Sequence, residues 1–144
     1  MPNSFDLEQF VRAQEQVMPQ VLRELRAGHK RSHWMWFVFP QLLSLGHSMM
    51  SRQYGIPSLA AAQAYLAHPL LGKRLMECTR LTLQADQWSA LAFFGSPDDM
   101  KFHSSMTLFD RARPDACFRE ALDRFFHGKG DPRTLEILRM ARGS

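Results

Sequence analysis

The sequence predicts an all-α fold, a single irregular bundle of about six or seven helices over residues 1–144. Three observations carry that prediction. Cap or proline signals recur at Asp6, Ser58, Pro69, Ser96, Asp115 and Asp131, and each precedes apolar residues at helical spacing. No run alternates as a half-buried strand would. The segments between are short and marked by Gly or Pro, as helix–helix connections are.

Asp6 reads as the first N-cap, with Gln9 placed to complete a capping box. Phe10, Gln14, Val17, Val21, Leu22 and Leu25 follow helical spacing, interrupted at Pro19, where a kink or restart is expected with Pro19 in the first turn. Gly28 is a helix stop. Ser32 then caps a short helix through Phe39, ended by Pro40; a strand is the competing reading of so short and aromatic a segment, but the alternation it would need is absent. Gly46 and Gly55 bracket another short piece, and Ser58 caps the alanine-rich segment Leu59–His68. Pro69 opens a helix to about Ala85 with Leu71, Leu75, Cys78 and Leu81 on one side. Ser89 caps a turn ending at Gly95. Ser96-Pro97-Asp98-Asp99 starts the next helix, with Phe102, Met106 and Phe109 as its stripe. Pro114 closes it, and Asp115 opens a helix bearing Phe118, Leu122, Phe125 and Phe126. After the Gly128–Gly130 turn, Asp131-Pro132 starts the last, with Leu135, Ile137 and Leu138.

Composition bounds the function. The chain is 45% hydrophobic and 22% charged, the profile of one globular domain able to bury its own core. No repeat, low-complexity tract or linker is visible. Cys78 and Cys117 have no partner at metal-ligand spacing, so reduced buried thiols are expected. The polar start, Asn3, Ser4, Asp6 and Glu8, leads to the expectation of no signal peptide and a cytoplasmic protein. No apolar stretch reaches the roughly 20 residues of a membrane span. The net charge of +4 permits an anionic partner without requiring one. The basic residues are spread along the chain, and no zinc-finger or RNA-recognition pattern appears, which argues against a nucleic-acid partner. No cofactor loop, nucleophile elbow or metal motif is present either.

Two segments carry the candidate chemistry. In the run Arg31 to Gln41, two of three tryptophans and two of eleven phenylalanines fall within six residues. This run is either plain core or the wall of a pocket. As a wall, Trp34 and Trp36 would stack on a base or ring and each offer an indole N–H, with His33 beside them and Arg31 to hold an anionic tail. The second segment is Gly95–Phe109. Lys101, Ser105 and Leu108 share one helix face, and Ser104, Ser105 and Thr107 are poor helix formers that either back-bond to the helix or line a site. Asp98 and Lys101 are spaced to pair with each other. A third segment, Gly128–Thr134, could pass for a phosphate cradle but reads more simply as a turn with an Asp N-cap.

The pieces Lys30–Gln41, Ala64–Gly72, Phe94–Lys101 and Ser104–Phe109 come in this order. Together they resemble a bacterial family of small proteins known as a domain of unknown function, some members of which carry the label calpastatin. The resemblance runs from about Phe5 to Leu138 and implies a mainly α-helical cytoplasmic protein. It implies no activity or catalytic residue. The calpastatin label does not fit, because that inhibitor is disordered and this chain has the composition of a folded domain. A shorter, gapped pattern, with a polar residue and His before aromatics, then His-Pro-Leu, then Phe-Gly with later acids, resembles small α-helical proteins that process ADP-ribose derivatives.

Two readings follow. In the first, a nucleotide or ADP-ribose-like ligand sits between the 31–41 and 96–109 segments, held by Arg31, Trp36, Lys101 and Ser105, with Lys30 beside them. An enzyme on this plan would use His33 as acid or base and Asp99 or Asp98 to steady positive charge on a sugar carbon. In the second, the chain is an interaction module that uses exposed Met and Phe residues.

Overall fold

The computed structural model describes residues 5–143, so Asn3 and Ser4 of the polar start lie outside it. Ten α-helices follow one another, and no strand occurs among the described residues. Seven helices run nine residues or more: α1 (Leu7–Glu15), α2 (Met18–Ala27), α5 (Leu59–Ala67), α6 (Leu71–Gln84), α8 (Asp98–Ala112), α9 (Cys117–Phe126) and α10 (Pro132–Gly143). The others are single turns: α3 (Met35–Val38), α4 (Met49–Gln53) and α7 (Ala90–Phe94). The predicted all-α class therefore holds, and the predicted number corresponds to the longer helices. None of the helices is long and apolar enough to cross a membrane.

Most of the local stop and start signals act as read. Asp6 accepts the Glu8 N–H at 3.0 Å, Ser58 the Ala61 N–H and Ser89 the Ala92 N–H, both at 3.1 Å. Asp131 caps α10 through the Thr134 N–H at 3.0 Å. Pro19 sits in the first turn of α2, and Gly28 ends that helix with a left-handed φ of 75°. Other signals are displaced. Gln9 closes no capping box; its amide donates to the Gln53 carbonyl instead. Pro69 lies outside α6, and the His68 imidazole Nδ1 accepts the Leu70 and Leu71 N–H groups at 3.1 and 3.2 Å, capping that helix. Ser96 is not a cap, since Pro97 takes that place without a side-chain bond. Asp115 has a left-handed φ of 69°, and the cap of α9 is Ala116.

α8 is the central helix, packed against α9, α5, α7, α10 and α3. Its Phe102, Met106, Leu108 and Phe109 are fully buried. Phe102 meets Phe39 edge-on at 5.1 Å and stacks on Phe94 at 4.5 Å. Phe109 meets Tyr65 at 5.5 Å, and Tyr65 meets Phe10 at 5.3 Å. On α6, Leu71, Leu75 and Cys78 are buried as their spacing predicts. Leu81 is only half-buried. Thr79 and Thr82 take the inner side there, because each hydroxyl donates to the carbonyl one turn back at 2.8 Å. The Gln14 amide, buried beside these aromatics, donates to the Phe37 carbonyl at 2.6 Å and to Tyr65 Oη at 3.1 Å.

After α3 the chain crosses to a loop clamped at its neck. The Leu43 N–H donates to the Ile56 carbonyl at 2.8 Å and the Ile56 N–H to the Gln41 carbonyl at 2.9 Å. Between them lie a 3-10 turn, Leu43–Leu45, and α4, capped by the Ser48 hydroxyl on the Ser51 N–H. This loop puts the start of α4 opposite the start of α8.

Candidate functional site

The segment before α3 is organised by one carboxylate. Glu24 is buried, and its two oxygens accept from the Arg31 N–H (2.9 Å), the Ser32 N–H (3.1 Å), the Ser32 hydroxyl (2.5 Å), the Trp34 indole N–H (2.8 Å) and the Gln20 amide (2.6 Å). Burial pushes its pKa up, but these bonds to the charged form outweigh it and hold the group at about 2. Ser32 is thereby drawn away from capping, and α3 starts at Met35 without a side-chain cap. Trp34 is 1% exposed and belongs to the core. Phe37 is buried and Arg31 exposed.

Lys30 is also spent internally. Its ammonium lies 2.8 Å from Asp98 and 5.1 Å from the centroid of the Trp34 ring, and it donates to the Ser32 carbonyl. The expected Asp98–Lys101 pair is long, at 4.0 Å, because Asp98 already holds Lys30. Lys101 instead lies with its ammonium 5.9 Å from the centroid of the half-buried Trp36 ring.

Lys101 stands at the junction of two cavities. The wider is a cleft of about 310 Å³ where the first turns of three helices meet. α4 contributes Ser48 and Ser51, α8 contributes Pro97, Met100, Lys101 and Ser104, and α10 contributes Asp131 and Arg133. Gln41, Leu45, Gly46 and His47 complete the wall. Ser104 Oγ lies 2.7 Å from Gln41 Oε1 and 3.1 Å from the Met100 and Lys101 carbonyls. Its single proton serves one of the three, and the Gln41 bond joins the two walls. The Asp131 carboxylate accepts the Thr134 N–H and hydroxyl, at 3.0 and 2.6 Å. The narrower cavity, about 10 Å³, lies among Trp36, Phe39, Gln41, Ser51, Tyr54, Gly55 and Lys101.

Of the residues singled out in the sequence, Trp36 and Lys101 are brought together here. Arg31 and His33 are exposed and line neither cavity. Asp99 is half-buried, lines neither, and has one carboxylate oxygen buried without a hydrogen-bond partner. Ser105 is fully buried one turn beyond Lys101, and its hydroxyl too has no hydrogen-bond partner. The polar choices at Ser104 and Thr107 resolve as back-bonding, with Ser104 also lining the cleft and Thr107 holding the backbone of Asp131. Thr107 donates to the His103 carbonyl at 2.8 Å and accepts the Asp131 N–H at 2.9 Å. Cys117 is buried, its thiol pushed up by burial.

Sequence reasoning missed Gln41, His47, Ser48, Ser51 and Arg133. Gln41 closes the aromatic run and was available as a signal. Arg133 lies in the segment read as a turn with an Asp N-cap; the chain does turn there and Asp131 caps α10, whose first turn carries Arg133 into the wall of the cleft. No group of three or more His, Cys, Asp or Glu that could hold a metal ion occurs among the described residues.

Residues 4–138 match the family model described as protein of unknown function (DUF1810). The fold is similar to the crystal structure of the conserved hypothetical protein Rv1873 from Mycobacterium tuberculosis, with 52% identity and a TM-score of 0.91 over 95% of this chain and 99% of that one. No curated protein matches the chain.

Proposed function

We infer from this cleft that the chain, which belongs to the DUF1810 family, binds a small phosphate-bearing molecule. The observation that carries the reading is the charge on the walls. Lys101 has its nearest carboxylate oxygen 4.0 Å away on an acid already engaged by Lys30. Arg133, exposed and lining the same cleft, forms no ion pair within 4 Å among the described residues. Two cations facing one polar cleft suit an anion that bridges them, one as a point charge and the other as a planar fork. The starts of the two long helices α8 and α10 add their N-terminal dipoles, partly offset by Asp98, Asp99 and Asp131.

A cleft of this volume is at the small end of ligand pockets, which run roughly 300–1,000 Å³. The nucleotide and ADP-ribose-like compounds that the sequence suggests form the first screening set. Calorimetric titration of the protein and of Lys101→Ala tests the reading. Binding of a phosphate compound that the variant weakens at least tenfold supports it. Equal binding by both proteins would refute it and favour the interaction module, for which exposed Met49, Trp88 and Leu91 supply apolar surface.

A further inference from the structure

The two cavities differ in what they can hold, and that difference selects a ligand class within the phosphate-binding reading on which it rests. A purine or nicotinamide ring would bind by stacking, since flat aromatic faces are what recognise such rings. The aromatic side chains near Lys101 are Trp36, Phe39 and Tyr54, and all three line the narrow cavity. Its volume of about 10 Å³ is close to one water-sized probe and far below a ring. The face of Trp36 is also approached by the Lys101 ammonium. The wide cleft, by contrast, has no Phe, Tyr or Trp on its wall; His47 is its one ring that could stack.

What the wide cleft offers is a set of hydroxyl-matching groups. Ser48 and Ser51 carry hydroxyls, Ser104 Oγ can accept though its proton is spent inside the wall, the Gln41 amide nitrogen donates, and the Asp131 carboxylate accepts. Together they meet the alternating donors and acceptors of vicinal hydroxyls. Lys101 and Arg133 supply the phosphate end.

We propose that this cleft takes a small phosphorylated sugar or polyol, with the phosphate on Lys101 and Arg133 and the hydroxyls on Gln41, Ser104 and Asp131, rather than a nucleotide.

Titration calorimetry with ribose 5-phosphate, unphosphorylated ribose, inorganic phosphate, AMP and ADP-ribose tests the class. It is run on the full chain and on Lys101→Ala, Arg133→Ala and Ser104→Ala, each checked by circular dichroism and melting. The expected result is that ribose 5-phosphate binds at least tenfold more tightly than phosphate, ribose, AMP or ADP-ribose. Lys101→Ala and Arg133→Ala each weaken it at least tenfold, and Ser104→Ala removes most of its advantage over inorganic phosphate. Tighter, Lys101-dependent binding of AMP or ADP-ribose overturns the sugar-phosphate class while leaving the phosphate site standing. Inorganic phosphate binding as well as ribose 5-phosphate does the same. If none of the five shows Lys101-dependent binding, the site reading itself falls, and this inference with it.

Discussion

The indole N–H of Trp34 donates to Glu24 at 2.8 Å, joining the largest fully buried side chain to a carboxylate held by neutral donors. The four other donors on Glu24 are two backbone N–H groups, a hydroxyl and an amide. Breaking this arrangement leaves buried polar groups without partners, which costs more than the net worth of the bonds themselves. Glu24→Gln, which keeps the volume but turns one acceptor into a donor, should lower stability by about 2–3 kcal/mol in urea unfolding. A loss under half a kcal/mol would show that the donors find other partners.

Glu24 also sets an acid limit. Its folded pKa of about 2 lies below the ordinary 4.5. The unfolded chain therefore takes up the proton first, so the stability it confers is fully present above pH 4.5 and is lost as pH falls towards 2. Linkage makes this about 3 kcal/mol at neutral pH. Unfolding free energies measured between pH 6 and pH 2 should fall more steeply for the parent than for Glu24→Gln. Parallel curves would contradict the assignment.

Trp34→Ala should cost roughly 3–5 kcal/mol by emptying a core site. The measurement is the shift in the urea midpoint. Melting within a degree of the parent would place Trp34 outside the core.

Gly72 has a steric role. A Cβ there would lie 2.1 Å from the Leu66 carbonyl oxygen, a backbone atom that cannot swing aside. Gly72→Ala should force α5 and α6 apart and cost about 1–3 kcal/mol or more. An unchanged melting temperature would mean that the helices slide freely past each other.

The thiols should be inert in the folded protein. Burial pushes Cys78 up to about 12 and raises Cys117 as well. Only the thiolate reacts readily, so a disulfide reagent at pH 8 should label neither until denaturant is added. Rapid labelling of the native chain would point to an open path to one of them.

The parts of the fold legible in sequence were those fixed within a few residues. Asp6, Ser58, Ser89 and Asp131 cap helices because a short side chain reaches its own next turn. Ser32 failed because its hydroxyl and backbone N–H both donate to Glu24, eight residues back, which holds the side chain away from the first turn of α3. Asp115 failed because the turn after Pro114 needs a left-handed residue, and Asp tolerates that geometry. Glu24 was not singled out in the sequence, although it stands three residues after Val21 and beside Leu25, both of which are buried with it. With Trp36 lining the narrow cavity beside it, the cleft was legible chiefly through Lys101 and Ser104. Its other walls come from three helix starts far apart in the chain, and no local pattern states that they meet.

The neck closed by the Leu43–Ile56 and Ile56–Gln41 bonds has a consequence for how the chain tolerates being cut. Its tip, around His47 and Ser48, is exposed, while both strands of the neck stay tied to each other and Ile56 is fully buried. A protease that nicks the chain at the tip would produce two fragments that remain together, since the new ends lie beyond the tie. The nicked molecule would migrate as one species under native conditions and as two when denatured. It would keep its buried aromatics and lose the wall that Ser48 and Ser51 supply.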